Sequence, residues 1–573
     1  MRSQDGKLKH ILQKYWVTWL LICGLTVLIY SGTLSYGMLA NFDDDAYFGD
    51  TRIQDLNAAN TGAYFTDYYL GMYQPIPVLS FALVNHISPD SMWSQRVLNL
   101  LLHCLNILLV LLITRKLTGN IYIGALTALF FAIHPMHVES VTWLSTRSNL
   151  LYSAFYLGAV LTYINRKDEH KLLNWCIVIL FFTLSLLSKV TAATLPAVLL
   201  LTGWYQGRKF KLSMLLPNAL LFILSGIFIW IGVQASAAFG HITDMGQSYT
   251  FTERVILVLH AQGLYLAKFL FPLNLSAIYL FPFKESGSLP VSYLISAVLA
   301  LAAIAVMLWA GWKWRRMDEG KAVLFGVLFY LITISIVMPL KWSRTVIIAE
   351  RYTYLPYIGL TAALLVVLFS VWKKYGKTGK VLLVAMLVLT AVLFSLQSSR
   401  RNKAWENPAT LFTDVIENKQ GKAEVSMGYY NRGNEYLRLK NAGAAISDYS
   451  SAIEIYPTYR EAFYNRGLVY YLSGNNDAAI ADFTRAIALK DDFVDAFINR
   501  AAAYRNTGMY ELALNDLDWA ISIHPSALAY LSRGVLFYSN FNNPEKACQD
   551  WNVSAQMGSD QAKQLLQQYC RVQ

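Results

Sequence analysis

Three adjacent carboxylates, Asp43-Asp44-Asp45, follow directly after the first long apolar stretch of the chain. Neighbouring carboxylates repel one another, so the pKa of at least one of them should rise unless a cation lies nearby. Such a group suits a general base, and a glycosyl transfer that inverts the anomeric carbon needs a base for the acceptor hydroxyl. A solvated acidic turn is the alternative interpretation.

A second polar group lies between His134 and Glu139 and includes His137. Two histidines and a glutamate so close together could bind a divalent cation, although Pro135 breaks the helix that would align them. We therefore do not favour a metal, and we expect His134, His137 and Glu139 to line a sugar or acceptor pocket, with Arg147 available for phosphate. A polar helix cap or an ordinary structural corner would explain the same residues.

A third group consists of Lys341, Arg344, Glu350, Arg351 and Tyr352, just before another apolar stretch. A guanidinium gives a phosphate paired, charge-assisted hydrogen bonds and stabilises it as a leaving group. We expect the three basic residues to bind the phosphate of a donor and Tyr352 to line the sugar or acceptor pocket. A structural Glu350–Arg351 ion pair is the competing interpretation.

These groups sit among segments that predict a membrane protein. The 573 residues are 55% hydrophobic and only 15% charged, and apolar runs long enough to cross a bilayer recur through the first 400 residues. We predict about eleven spans, at 15–37, 94–114, 120–135, 149–165, 172–188, 191–205, 213–236, 291–312, 322–340, 353–372 and 379–398. The segment 254–272 is assigned as a re-entrant or interfacial helix instead of a twelfth span.

The charge distribution fixes the expected orientation. The net charge is +12, but residues 402–573 hold 16 basic and 19 acidic residues, so the surplus belongs to the apolar part. With a cytoplasmic N-terminus, 20 of the 32 basic residues of that part fall in short cytoplasmic connections, as the positive-inside rule requires. This pattern argues against nucleic-acid binding and places the three polar groups and the C-terminal region on the opposite side.

The C-terminal region contains an internal repeat. Asn431-Arg432-Gly433, Asn465-Arg466-Gly467 and Asn499-Arg500-Ala501 recur every 34 residues, and Arg533-Gly534 follows 33 later. This is the tetratricopeptide period. We predict an all-α chain with a membrane domain at 1–400 and, at 401–573, an α-solenoid of about four repeats plus a capping helix. Whether Cys548 and Cys570 form a disulfide stays open.

The motifs resemble those of the transmembrane and tetratricopeptide-repeat O-mannosyltransferases, a family within the GT-C glycosyltransferase group, and the chain looks like a bacterial relative of it. The matching segments are 41–47, 74–80, 99–103, 131–147 and 349–359. The resemblance implies a GT-C-like membrane domain and makes Asp43 and Asp44 the catalytic carboxylates. The third carboxylate, Asp45, departs from the family pattern; we place it in the sugar or acceptor pocket, and which of the three is the base stays open.

The resemblance also implies the substrates. A polyprenyl-phosphate sugar, mannose or a similar hexose, would be the donor, and no further cofactor is required. The acceptor would be a protein or peptide that docks on the repeats, in a bacterial periplasm or, alternatively, in the lumen of the endoplasmic reticulum. Transfer to a lipid or cell-wall glycan, and a non-catalytic membrane-anchored repeat scaffold, are the alternative functions.

Overall fold

The computed structural model describes residues 2–40, 42–166, 171–208, 212–240, 243–244, 248–282, 284, 287–340, 342–343, 346–374, 376–418 and 421–570. The chain forms two compact units, Met1–Leu411 and Phe412–Gln573. The predicted domain boundary at residue 400 therefore falls inside the helix Lys377–Ala404.

The first unit is helical almost throughout. Its helices are Arg2–Tyr30, Asp44–Phe48, Thr51–Gln54, Ala58–Thr66, Pro75–Ile87, Met92–Thr118, Ile121–Ile133, Val138–Thr142, Arg147–Asn165, Lys171–Ser188, Leu195–Tyr205, Leu212–Ala238, Phe251–Leu270, Val291–Lys313, Asp318–Ile334, Tyr357–Lys374 and Lys377–Ala404, and Pro408–Asn418 runs across the boundary. Two-residue strands, Thr243–Asp244 and Trp342–Ser343, pair antiparallel. Short 3-10 turns at Pro135–His137, Leu144–Thr146, Val190–Thr194 and Glu350–Thr353 interrupt the helices.

The multi-pass membrane architecture is confirmed. Among the described residues, seven helices are long and apolar enough to cross a membrane, at Trp16–Ser35, Met92–Thr118, Pro217–Ala238, Val291–Lys313, Asp318–Val337, Tyr357–Lys374 and Lys377–Ala404. An eighth candidate is the pair Ile121–Ile133 and Pro135–Thr142, which is bent by 59°.

Three further predicted spans are not among these candidates. The predicted spans 149–165, 172–188 and 191–205 are helical but fall outside this set on length or hydropathy, so the count of eleven stays a prediction. The segment predicted as re-entrant or interfacial is one unbroken helix, Phe251–Leu270. It begins with a capping box in which Thr250 and Glu253 bond to each other's backbone N–H groups, a regular helix start.

The second unit consists of helix pairs, as predicted. The pairs are Lys422–Arg438 with Ala442–Ile455, Arg460–Leu472 with Asn476–Leu489, Val494–Asn506 with Tyr510–Ile523, and Ala527–Ser539 with Pro544–Gln556, followed by Asp560–Tyr569. A Cβ on Gly433 would lie 2.8 Å from the ring of Tyr449, so the small residue of the motif is required where the paired helices cross.

The arginine of each repeat motif joins neighbouring helices. Arg466 donates two 2.8 Å hydrogen bonds to Asp482 in its own repeat and one of 2.9 Å to Ser450 in the repeat before. Arg432, Arg500 and Arg533 bond in the same way to Asp448, Asp516 and Asp550. The recurrent arginine thus ties each repeat internally and to its predecessor.

Candidate active site

The three carboxylates of the acidic segment have different surroundings. Asp43 has a backbone φ of 70°, in the left-handed region that aspartate tolerates better than most residues, and it immediately precedes the helix Asp44–Phe48. Asp44 is buried, whereas Asp43 and Asp45 are exposed. Asp43 lines a cavity of about 170 Å³ in the first unit, and Asp45 does not. The Asp45 carboxylate accepts a 3.1 Å hydrogen bond from the Ala46 N–H, so its predicted place in the pocket is wrong in this structure.

Asp44 anchors the acidic segment to a neighbouring turn. Its carboxylate accepts hydrogen bonds from the N–H of Leu39 at 2.9 Å, from the N–H of Ser145 at 3.0 Å and from the Ser145 hydroxyl. Burial raises the pKa of Asp44 to about 6, although these donors oppose the rise. The expected raised pKa is therefore present, but burial is its largest cause instead of repulsion. Asp44 does not line the cavity, but Ser145, to which it bonds, does, so this geometry favours a positioning role over the catalytic role predicted for Asp44.

The cavity combines one carboxylate, two cations and several aromatic rings. Val190, Phe228, Gly232 and Val337 give it an apolar side. Its polar and aromatic lining includes Asp43, Tyr47, Tyr73, Gln74, Trp143, Ser145, Thr146, Ser148, Lys189, Thr191, Arg351 and Tyr352. Asp43, Arg351 and Tyr352, all predicted from the sequence, therefore face the same space.

Arg351 is held in place by Glu139. The Arg351 guanidinium forms an ion pair with Glu139, and the Arg351 backbone N–H donates a 2.7 Å hydrogen bond to the same carboxylate. The guanidinium also lies 5.4 Å from the Trp143 ring centroid and 5.1 Å from that of Tyr352. Glu139 itself is buried and does not line the cavity. Glu139 was predicted to contact a sugar, but in this structure it orients Arg351 instead.

Lys189 supplies the second cation, which the predicted site omitted. It directly follows the helix Lys171–Ser188, its ammonium donates to the Asn149 side chain, and it lies 5.8 Å from the Tyr352 ring. Asn149 is buried and donates to the Ser140 hydroxyl at 3.2 Å and to the Arg351 carbonyl at 3.3 Å. Asn149 therefore links the Lys189 ammonium to the Arg351 backbone. Glu139 and Ser140, which do not line the cavity, bond to Arg351 and Asn149.

Arg147 does not reach the cavity. Its guanidinium is buried, donates to Asn99 at 2.7 Å and to the Gln95 carbonyl at 2.8 Å, and lies 4.1 Å from the Phe81 ring centroid. These contacts join helices, so the predicted phosphate-binding role of Arg147 is wrong in this structure. Sequence alone gave no sign that the first residue of the helix Arg147–Asn165 is packed inward.

The two histidines also lie away from the cavity. His134 is buried, interacts with the Phe269 carbonyl at 3.2 Å and stacks near the Phe269 ring. His137 is buried and lies 2.9 Å from the Phe131 carbonyl. The bend at Pro135 turns both rings into the packed interior, so the prediction that they line a sugar pocket is wrong. Within the described ranges, no group of three or more His, Cys, Asp and Glu side chains converges as a metal site would require.

The loop before the helix Tyr357–Lys374 is described in part. Lys341 and Arg344, predicted to bind phosphate, lie outside the described residues. The competing Glu350–Arg351 pair is not formed. Glu350 instead accepts from Arg401 at 3.2 Å and from the Tyr279 hydroxyl at 3.1 Å, which leaves Arg351 with Glu139.

Family models match parts of both units. The family model described as dolichyl-phosphate-mannose-protein mannosyltransferase matches residues 74–232, which include Trp143, Asn149 and Lys189. Tetratricopeptide-repeat models match residues 433–474 and 461–493. The chain is thus similar to protein O-mannosyltransferases in part of its first unit and to tetratricopeptide-repeat proteins in part of its second.

The relatives match about two thirds of the chain. Protein O-mannosyl-transferase TMTC1 of Homo sapiens is 24% identical over 445 residues, which cover 68% of this chain and 48% of that protein. TMTC3 of Mus musculus is 23% identical and covers 67% of this chain and 44% of that protein. The chain thus spans about half the length of these relatives. Among solved structures, MamA is 22% identical and covers 27% of this chain and 92% of that chain, with a TM-score of 0.24.

Proposed function

We propose that the chain transfers mannose, or a similar hexose, from a polyprenyl-phosphate donor to a hydroxyl group of a protein acceptor on the non-cytoplasmic side. The observation that carries this proposal is the cavity in which the Asp43 carboxylate and the cations Lys189 and Arg351 face one space. A lipid-linked sugar phosphate needs a base on one side of the anomeric carbon and positive charge at the departing phosphate. The names of the relatives support mannose and protein as substrates.

The reaction is a single displacement. The acceptor oxygen bonds to the anomeric carbon while its proton passes to the Asp43 carboxylate. The bond between that carbon and the phosphate oxygen breaks at the same time, and the electron pair leaves with the lipid phosphate. Configuration at the anomeric carbon is inverted, and atoms and charge balance without a metal or nucleotide.

Lys189 and Arg351 stabilise the leaving phosphate. Both cations are fixed before the donor binds, Arg351 by Glu139 and Lys189 by Asn149. Charges that need no rearrangement stabilise a developing charge most effectively. The Arg351 guanidinium adds paired hydrogen bonds to phosphate oxygens, whereas Lys189 acts as a compact charge.

The repeats hold the protein acceptor. Stacked helix pairs present an extended surface that suits a peptide. We place this step on the non-cytoplasmic side, in the periplasm or in the lumen of the endoplasmic reticulum.

A donor panel tests the proposed function. Full-length native protein and Asp43→Asn, reconstituted in vesicles at equal amounts, are incubated with radiolabelled polyprenyl-phosphate mannose, glucose or galactose and an extract of acceptor proteins. Label recovered in protein with the native chain and absent with Asp43→Asn is the expected result. Label in the lipid fraction would assign a glycolipid acceptor instead. Equal label with both chains would exclude Asp43 as the base, and no label with either chain for any donor would leave the non-catalytic scaffold as the function.

A further inference from the structure

The first unit, Met1–Leu411, is the membrane unit. At its end opposite the cavity, basic side chains lie over aromatic rings. The Arg315 guanidinium lies 4.0 Å from the Trp312 ring centroid, and the Lys313 ammonium lies 4.6 Å from that of Trp309. Four further cations have the same relation to a ring: Arg208 with Tyr163 at 4.9 Å, Lys321 with Tyr205 at 5.2 Å, Lys373 with Phe369 at 5.7 Å and Lys380 with Trp372 at 5.0 Å. We call these six pairs the cation–aromatic belt.

Contacts between helix ends bring the belt together at one end of the unit. Arg208 donates to the Ile164 carbonyl at 3.1 Å, which joins the ends of two neighbouring helices. Lys321, at the start of the helix Asp318–Ile334, lies over Tyr205, the last residue of the helix Leu195–Tyr205. The Ser370 hydroxyl donates to Glu319, which adds the end of the helix Tyr357–Lys374.

The belt is separated from the cavity by the length of a helix. Asn149, beside the cavity, and Ile164, beside the belt, lie in the same helix, Arg147–Asn165. Fifteen residues of α-helix span about 22 Å at 1.5 Å per residue, about three quarters of the roughly 30 Å thickness of a bilayer's apolar core. The belt is therefore a different surface from the candidate active site.

Exposure of the rings distinguishes the belt from a solvated charged surface. The side chains of Trp309, Trp312 and Trp314 are 57%, 59% and 48% exposed, and Met317 beside them is 50% exposed. Tryptophan exposed beside lysine and arginine at the ends of apolar helices is typical of the lipid headgroup layer. A small apolar cavity of about 40 Å³, lined by Leu117, Tyr205, Phe325 and Val366 among others, lies next to the belt.

Basic residues far outnumber acidic residues at this end of the unit. The described helix ends and turns there contain Arg115, Lys116, Arg166, Arg208, Lys313, Arg315, Arg316, Lys321, Lys373, Lys374, Lys377 and Lys380, and the acidic residues Asp318 and Glu319. A basic layer with interleaved aromatic rings at the height of the headgroups is complementary to negatively charged lipid phosphates.

We propose that the cation–aromatic belt binds the headgroups of anionic phospholipids in the leaflet opposite the candidate active site. The rings insert at the headgroup level, and the cations lie over them facing the phosphates. This inference does not depend on the sugar-transfer function.

A thermal-shift measurement tests the belt. Detergent-solubilised full-length protein is titrated with short-chain phosphatidylglycerol or with phosphatidylcholine that has the same acyl chains, and the unfolding temperature is recorded. We expect phosphatidylglycerol to raise the unfolding temperature more than phosphatidylcholine, and 0.5 M salt to reduce the difference. Equal shifts with the two lipids would overturn the proposal.

Charge variants separate the belt from general electrostatic attraction. Lys313→Gln, Arg315→Gln, Arg316→Gln retains the three tryptophans and should lose most of the preference for phosphatidylglycerol. The matched control, Lys440→Gln, Lys490→Gln, Arg505→Gln, removes the same charge from the repeats and should retain the preference for phosphatidylglycerol. Loss of the preference in the control, or an equal shift with inorganic phosphate at the same concentration, would contradict a lipid-binding belt.

Discussion

Ser145 connects the pH response of the acidic segment to the geometry of the cavity. Its N–H and hydroxyl both donate to the buried Asp44 carboxylate, and the ionised carboxylate accepts these bonds best. Since the pKa of Asp44 is raised to about 6, protonation below that pH weakens the link that positions Asp43.

We expect the transfer rate at saturating donor to fall as the pH is lowered through about 6. The Ser145 hydroxyl lowers the pKa of Asp44 against the effect of burial, so Ser145→Ala should raise that pKa and move the midpoint of the pH–rate profile to higher pH. Initial rates between pH 5 and pH 8 for both proteins measure this shift. An unchanged midpoint would contradict the role given to Asp44.

The Glu139–Arg351 pair makes a second prediction at this scale. Removing one partner leaves the other charge poorly compensated in a largely buried place, so Glu139→Gln and Arg351→Gln should each lower the unfolding temperature. The stability lost in the double variant should be smaller than the sum of the losses in the two single variants, with a coupling on the order of 0.5–3 kcal/mol. A thermal double-mutant cycle measures the coupling, and strictly additive losses would show that the two residues do not act as a pair.

Two residues predicted from the sequence, Asp43 and Arg351, line the cavity. They were recognisable because a charged residue next to a membrane span is energetically unfavourable and is usually retained only for a function. Lys189 was left out of the predicted site, since a lysine that ends an apolar helix is equally explained by snorkelling. His134 and Arg147 were placed in the site wrongly, because their burial depends on a bend and on helix packing that residue types do not reveal.

At the scale of elements, the repeats were the most predictable part. A fixed period with small residues at the helix crossings specifies four helix pairs and a last helix, and the structure has them. Membrane spans were less predictable, because apolar helices of 11 to 18 residues such as Leu195–Tyr205 and Lys171–Ser188 have the composition of a span without its length.

The last two helices of the second unit are joined by a disulfide between Cys548 and Cys570, a pairing that the sequence left open. The bond closes a loop of 22 residues, for which chain entropy predicts a stabilisation of about 3 kcal/mol. Cys548→Ser, Cys570→Ser should therefore speed amide hydrogen exchange in the helix Asp560–Tyr569, as mass spectrometry would detect. The control Cys176→Ser should not, and unchanged exchange in the double variant would mean that packing alone holds this helix.

At the scale of the whole molecule, charge and chemistry are divided between the two ends of the membrane unit. The cavity with Asp43 lies at one end and the basic, aromatic belt with Arg315 at the other. Basic residues predominate on the cytoplasmic side of membrane proteins, so the cavity should open on the other side. A disulfide in the repeat unit fits an oxidising compartment.

Cysteine labelling tests this orientation. In a background in which Cys23, Cys104 and Cys176 are replaced by serine, Asp45→Cys and Arg315→Cys place single thiols at exposed positions on opposite ends. A membrane-impermeant maleimide applied to intact cells or sealed vesicles of known orientation should label Asp45→Cys from the non-cytoplasmic side and Arg315→Cys after permeabilisation. The reverse pattern would place the cavity in the cytoplasm.

The central claim is that Asp43, and not its neighbours, acts as the base of sugar transfer. The most direct measurement is the single-turnover transfer rate of full-length Asp43→Asn and Asp45→Asn with the donor that the native chain accepts. Loss of a general base is expected to slow Asp43→Asn by about 10²–10⁴-fold, whereas Asp45→Asn, which removes an equal charge outside the cavity, should stay near the native rate. A native rate in Asp43→Asn, or an equal loss in Asp45→Asn, would contradict the account.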